Sequence, residues 1–419
     1  MASAFSFDAD VIIAGAGITG ATLGLALASA GLTPLLIDPQ PFDAQTAATF
    51  DGRASAIAFS SFRQWRALGL GEALAPHAQR IEQILVTDGR SAGAASGAGH
   101  PAFLRFDSAE IADRSEGEPL GYMLENRRIR AGLAQAVMAA GLTVLAPASV
   151  AKVEFGAAAA SVTLGDGRVL RAPLVVGAEG RGSVVRQAAG IEVSGWSYGQ
   201  SGVVATVGLE RDHAGVAYEY FLPSGPFAIL PLTGRRSSLV WTESTRRGEA
   251  LRGASQEMFE AHLIRRFGPF LGRIETQGPR FVYPLSLQLA QEMIAPRAAL
   301  LGDAAHVIHP IAGQGLNLGL KDVAALAQVL VEAVRLGEDI GAVSVLERYA
   351  RWRRLDNVAL AIATDAFNRL FSNDHPLIRA ARDIGMAAVN RLAPARRFFM
   401  QEAGGAVGDL PRLLRGEAL

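Results

Sequence analysis

DVIIAGAGITGATLGLALASAGLTPLLID, residues 10–38, decides the fold. Residues 10–14 form a short β-branched run of the kind that makes a buried parallel strand. Gly15-Ala16-Gly17-Ile18-Thr19-Gly20 follows without a break. A helical stretch then runs to about Ala30 and stops at Gly31, a C-cap glycine. Residues 35–37 read as the next strand and end at Asp38. A lone G-x-G-x-x-G says little. Here it lies between strand and helix, with an acid at the end of the following strand about 20 residues on, which is the dinucleotide-binding arrangement. Gly15 makes the turn, Gly17 admits a pyrophosphate, Gly20 lets helix and strand pack closely, and Asp38 accepts hydrogen bonds from a ribose. A nucleotide-free βαβ unit is the plainer alternative.

A second junction of this kind lies at residues 302–322, GDAAHVIHPIAGQGLNLGLKD. The apolar run Ala298-Ala299-Leu300-Leu301 is short enough to be a buried strand, and Asp303 sits just past its end. His306, His309 and Pro310 make a turn-rich segment, Gly313 and Gly315 break the chain again, and Leu316 opens a helical pattern to about Val334. This places a carboxylate at the carboxyl edge of a sheet, where ligands of open α/β sheets bind. The helix start aims free N–H groups and a positive dipole end at the same place. An electron-rich or anionic group belongs there, although glycines serving only tight turns give the same string. The two histidines suit an acid/base role or a turn-stabilising one, and neither is assigned. No third ligand stands near them at metal-binding spacing, so no metal is expected.

The chain has 419 residues, enough for two domains or one large composite domain, and half of them are hydrophobic. Basic and acidic residues balance at 40 each, which argues against a nucleic-acid partner. Lys152 and Lys321 are the only lysines; every other basic residue is Arg, which we read as codon bias. The absence of cysteine excludes disulfides, iron–sulfur clusters and thiol catalysis. The first ten residues, MASAFSFDAD, carry no signal-peptide pattern, and no apolar run is long enough to span a membrane. The expected location is cytoplasmic, either soluble or peripheral to a membrane.

Further along, Arg53 in Asp51-Gly52-Arg53 is either a solvated arginine or, beside a dinucleotide, a planar fork for a phosphate. Residues 81–87 read as a strand and 91–99 as a Gly/Ala/Ser loop. Residues 122–128 lead into a helix over 129–140, and strands follow at 142–145, 150–155 and 174–176. Gly165-Asp166-Gly167-Arg168 signals a hairpin. From Ser201 to Pro284 the pattern is strand-like, with one helix over 256–267, as in an antiparallel sheet inserted into the first domain. The expected class is therefore α/β: a Rossmann-like βαβ domain (residues 1–75, 120–190 and 285–345), an inserted antiparallel sheet domain for substrate (76–119 and 191–284), and a helical C-terminal region (346–419), broken near 372–376.

GAGITG, DGRASAIA, GAEGRGSVVR and GDAAHVIHPIAGQGLNLGLKD occur in this order with these spacings. Together they resemble the single-component FAD-dependent aromatic hydroxylases of the p-hydroxybenzoate hydroxylase fold. Glu125-Asn126-Arg127, the strands with Phe221, Gly225-Pro226 and Leu230-Pro231-Leu232, and the HPIAGQGLNLGLKD string make the chain similar to the ubiquinone-biosynthesis hydroxylases within that group. The resemblance spans nearly the whole chain. It implies that Gly15, Gly17 and Gly20 hold the FAD pyrophosphate and Asp38 the adenosine ribose. Arg53 and Arg127 would lie beside the phosphates and flavin, the backbone at Val150 beside the adenine, and Asp303 on the ribityl chain or pyrophosphate. Pro310, Gly313, Gly315, Leu316 and Asn317 would line the isoalloxazine. Glu179 departs from the family, which usually has Asp between these glycines.

The implied chemistry is hydroxylation of a prenylated phenol with NAD(P)H and dioxygen as co-substrates, the flavin carrying the reaction and no protein group assigned as catalyst. The helix near Gly315 would stabilise an electron-rich reduced flavin. Tyr218, Tyr220, Phe221 and Phe227 are candidates for a dry wall over it, with plain core packing the alternative for each. A reductase or halogenase of the same fold, or a non-catalytic FAD-bearing subunit, are the rival classes. The expected partner is a lipid-tailed phenol, with other ubiquinone-biosynthesis proteins or a second copy of the chain as further candidates. Ile384, Met386, Val389, Leu392, Phe398, Phe399, Met400, Leu410, Leu413 and Leu414, interleaved with arginines, suit either peripheral contact with the inner membrane or a cap on the chain's own core.

Overall fold

Val11–Ala14 is buried along its whole length because it is the middle of a sheet covered on both faces. In the computed structural model, which describes residues 7–47, 51–87, 104–110, 117–310, 313–354, 356, 392, 400, 404–405 and 408–419, six strands lie in the order Ile294–Ala295, Ala298–Leu300, Leu174–Gly177, Val11–Ala14, Pro34–Ile37 and Thr143–Leu145. All neighbours run parallel except Ile294–Ala295 at the edge. Val11, Ile13, Leu36 and Val176 meet Leu23 and Leu27 of helix Ile18–Ser29, Leu133 of helix Asn126–Ala139 and Leu326 of helix Gln314–Arg335. Ile12, Leu35 and Val175 meet Val153, Val162 and Leu164 of a three-stranded sheet on the other side. Burial on both faces is why these strands read as unbroken apolar runs.

The second sheet has eight strands: His306–Val307, Ile274–Ala290, Val193–Leu209, Arg236–Ser244, Gly225–Leu232, Val216–Leu222, Gln83–Thr87 and Leu104–Asp107, in that order. It is antiparallel except where Val216–Leu222 runs parallel to Gln83–Thr87. Val193–Leu209 and Ile274–Ala290 are each 17 residues long, well beyond their apolar segments. Residues 193–197 are exposed, so no alternation of burial marks them in the sequence. Helix Thr245–Gly253 was not foreseen either; it buries only Gly248 and Leu251 and has no apolar stripe to read.

The C-terminal segment, where it is described, favours one of the two readings given above. Leu413 and Leu414 are buried in the core beside Phe62 and Trp65, and Met400 packs with Ile81, Leu120 and Met123. Trp352 donates to the Asp409 carbonyl and the Arg412 N–H to Gln328. Those apolar side chains cap the chain's own core and are not open to a membrane. Leu392 is exposed. The other tail positions named above, except Leu410, lie outside the described residues, as do the loop at 91–99 and the break at 372–376. No described helix is long and apolar enough to cross a membrane.

Asp322, fully buried on helix Gln314–Arg335, ties this helix to the turn after Ala298–Leu300. It accepts the Gly302 N–H at 3.1 Å, the His306 Nε2 and the Arg353 Nε at 2.9 Å. Burial pushes the carboxyl up, but His306 and Arg353 outweigh it and hold Asp322 below the usual carboxylate range. His306 is thus part of a buried clamp. Removing one member of such a group leaves the other charges uncompensated. Asp322→Ala should therefore lower apoprotein stability by about 3–5 kcal/mol in urea unfolding; a loss under about 1 kcal/mol would contradict the clamp.

Candidate cofactor and active site

The three fingerprint glycines are needed for three different reasons. Gly15 has φ +99°, and a Cβ there would stand 2.5 Å from the Ala178 carbonyl oxygen. Gly20 lies so close to the turn that its Cβ would sit 1.9 Å from the Gly15 oxygen. Gly17, the N-cap of helix Ile18–Ser29, faces open space, with nothing within 4 Å of an added Cβ. No side chain caps this helix and its first turn holds no acid, so its N–H groups and positive end face that space uncompensated.

Asp38 is nearly buried and already holds the loop in place. Its Oδ2 accepts the Ala16 N–H and its Oδ1 the Gln40 N–H, both at 2.8 Å. Each oxygen keeps a lone pair for a ribose hydroxyl. The Ala148 N–H donates to the Asp38 carbonyl, which brings the segment leading to Val150 alongside. Val150 begins strand Val150–Phe155 and is partly buried.

The second junction closes on the first. A Cβ on Gly302 would touch Thr19 Oγ1 at 3.3 Å, and one on Gly319 would meet Thr19 Cγ2 at 2.9 Å and Gly302 Cα at 3.1 Å. The fingerprint helix, the Gly302 turn and helix Gln314–Arg335 therefore converge. Asp303 is exposed at this point and accepts no hydrogen bond among the described residues. Gly313 caps helix Gln314–Arg335 in the left-handed conformation, φ +65°, again without a side-chain cap. Pro310, Gly315 and Leu316 are partly exposed around it.

The Asn317 side chain is engaged within the chain. It accepts the Ala58 N–H and donates to the Ala56 carbonyl, both at 2.8 Å, so it staples the helix start to strand Ala54–Ala58.

Arg53 is half-exposed, with its fork closed on Asp51 through Nε and Nη2, each at 2.9 Å, and its guanidinium 4.9 Å above the Tyr283 ring. Asp51 also accepts from Asn126 and Arg130. Burial pushes the Asp51 carboxyl up, yet the Arg53 fork and the Asn126 amide hold it far below the usual carboxylate range. Burial pushes the Arg53 guanidinium pKa down, but the Asp51 carboxylate outweighs burial and raises it, with a smaller push from Asp303. Arg127 points to a different cluster: it pairs with Glu125 at 3.0 Å, and Glu125 also holds Arg236 at 3.2 Å. Glu179 uses its extra methylene to cap helix Val184–Ala188, accepting the Val185 N–H at 2.9 Å.

Three of the four expected wall residues lie on the wrong face. Tyr218, Tyr220 and Phe227 pack with Trp241, Phe259 and Leu263 under helix Gln256–Phe267, away from the cofactor domain. Strand side chains alternate faces, so Phe221, with Glu219 and Ala217, lies on the opposite one. On that face Ala217, Leu230 and Leu232 pack against Ala54, Ala56 and Met123 of the cofactor domain. Phe281 and Tyr283, also there, cover Gly52 and Arg53. Glu219 was missed; a lone acid inside Ala217-Tyr218-Glu219-Tyr220-Phe221 was the available signal.

The FAD binding domain family matches residues 8–361. The chain belongs to this FAD-binding family. It is 46% identical to ubiquinone hydroxylase UbiL of Rhodospirillum rubrum over 98% of this chain and 94% of that one. It is 35% identical to 3-demethoxyubiquinol 3-hydroxylase of Escherichia coli over 94% and 98% of the two chains. The human ubiquinone biosynthesis monooxygenase COQ6 is 31% identical over 93% and 91%. In fold it is similar to p-nitrophenol 4-monooxygenase PnpA of Pseudomonas putida, with TM-score 0.76 at 19% identity and coverage of 94% and 97%. The protein is an FAD-dependent aromatic hydroxylase with the α/β architecture of that class. The open space at Gly17, two uncapped helix starts and the exposed Asp303 fit the cofactor.

Two tests separate cofactor contact from packing. Gly17→Ala should leave apoprotein melting unchanged and weaken FAD binding, whereas Gly20→Ala should lower apoprotein melting; normal FAD affinity in Gly17→Ala would remove the cradle assignment. Asp303→Ala should lose bound FAD while apoprotein stability stays within about 0.5 kcal/mol, as for other surface changes. Full flavin content in that variant would contradict its role.

Proposed function

We propose that this protein hydroxylates the ring of a prenylated phenol in ubiquinone biosynthesis, using NAD(P)H and dioxygen. The observation that supports the reading is a dinucleotide cradle at Gly15, Gly17 and Gly20 with an apolar sheet face packed on Ala54, Ala56 and Met123, in a chain similar over nearly its whole length to ubiquinone hydroxylases.

When bound, FAD takes electrons from NAD(P)H and activates dioxygen for transfer of one oxygen atom to an electron-rich ring. The protein's part is binding, orientation and dryness. Gly17 and the start of helix Ile18–Ser29 hold the pyrophosphate, and Asp38 fixes the loop and the ribose. Asp303 and Arg53 meet the ribityl–flavin portion. The N–H groups at Gly315 and Leu316 stabilise negative charge on the reduced ring. Phe221, Ala228 and Leu230 keep water away from the reacting oxygen. Arg127 serves this site through Glu125 and the Arg236 link to the sheet. A phenol with a lipid tail is reached at the membrane surface by peripheral contact.

The test is anaerobic reduction of the purified holoenzyme by NAD(P)H, with and without a prenylphenol. We expect the phenol to accelerate flavin reduction at least tenfold, about 1.4 kcal/mol in barrier. Reduction at the same rate without it, and no hydroxylated product once oxygen is admitted, would favour a reductase or a non-catalytic flavoprotein.

A further inference from the structure

Glu219 stands alone in the apolar face that the eight-stranded sheet turns to the cofactor domain. It pairs with Ala228 on one side and Val86 on the other. Ala217 and Phe221 flank it on its own strand. Ala217, one pair further along, is opposite Leu230, and these two pack against Ala54 and Ala56. That offset of two residues is about 7 Å. Ala56 is in turn held by Asn317 and lies against Gly313, at the start of the helix that faces the flavin ring. The carboxylate has no hydrogen-bond or ion-pair partner among the described residues. The neighbouring strands bring no titratable group to the face beside it. Tyr283 with Arg53, and the Glu125–Arg236 pair, are such groups on that face and lie several strands away or at its rim.

We propose that Glu219 is a catalytic residue: it accepts the proton of the substrate's phenolic hydroxyl as the ring is attacked. This rests on the aromatic-hydroxylase reading above. The phenolic O–H bond breaks, its proton passes to a Glu219 carboxylate oxygen, and the electron pair stays on the phenol oxygen, where it raises electron density in the ring. The proton leaves to water with the product. Burial among apolar side chains pushes the Glu219 carboxyl up to about 8. This moves it toward the range of a phenol, as a general base requires, and the carboxylate form grows as pH rises through that value.

Two measurements test it. In the first, ortho-geranylphenol and its O-methyl ether are titrated into oxidised holoenzyme and followed by flavin absorbance. The native protein should bind the phenol at least tenfold more tightly, and Glu219→Ala should lose that preference while keeping its FAD. Equal binding of both compounds by the native protein would overturn the proposal. In the second, the hydroxylation rate of native enzyme should climb with pH through about 8. Glu219→Gln should be slower by about a hundredfold to ten-thousandfold and lose that climb. The same rate and pH profile in Glu219→Gln would overturn it. Failure of the hydroxylase reading has its own signature, no hydroxylated product from native enzyme at any pH, and does not touch the binding comparison.

Discussion

Asp322 joins parts of the chain that must stay fixed if a cofactor is to find the same cleft each time. One carboxylate, buried in helix Gln314–Arg335, accepts hydrogen bonds from the Gly302 backbone, His306 and Arg353. The turn carrying Asp303 is therefore tied to helix Gln314–Arg335. Gly302 and Gly319 make the same union steric, since a Cβ at either would press on Thr19 of the fingerprint helix. A charge held by three donors inside a close-packed contact specifies a geometry more strictly than an apolar patch of equal area.

The electrostatics of the cleft follow one plan. Its side-chain cations are already matched: Arg53 to Asp51, Arg127 and Arg236 to Glu125. What stays without a side-chain cap is backbone, the starts of helices Ile18–Ser29 and Gln314–Arg335. Backbone dipoles cannot swing away or titrate, so they suit a ring whose charge changes during turnover. Among the described residues, Asp303 and Glu219 each accept no hydrogen bond. The two stand on different elements, Asp303 in the turn after Ala298–Leu300 and Glu219 on strand Val216–Leu222.

The cofactor half was legible because each of its constraints is local. The glycine spacing, the acid ending the second strand and the acid after Ala298–Leu300 all fall within a few residues of a strand end. The substrate wall was less legible. Alternation tells which side chains of Val216–Leu222 share a face, but not which face is covered by helix Gln256–Phe267. Tyr218 and Tyr220 were therefore assigned to the cleft, and Glu219, between them, was passed over. The exposed ends of the long strands and the polar helix Thr245–Gly253 carry no apolar period for the same reason: little of them is buried. The use of Asn317 as a staple to Ala56 and Ala58 depends on a pairing some 260 residues distant in the chain, at separations of 259 and 261.

The central claim is that this cleft moves one oxygen atom from dioxygen to a phenolic ring. It is tested most directly by supplying isotopically labelled dioxygen and NAD(P)H to the native holoenzyme with ortho-geranylphenol, and recording product mass against NAD(P)H consumed. The account predicts one labelled oxygen per product molecule and close to one product per NAD(P)H. Oxygen drawn from water, or NAD(P)H consumed only to peroxide at every substrate concentration, would contradict it.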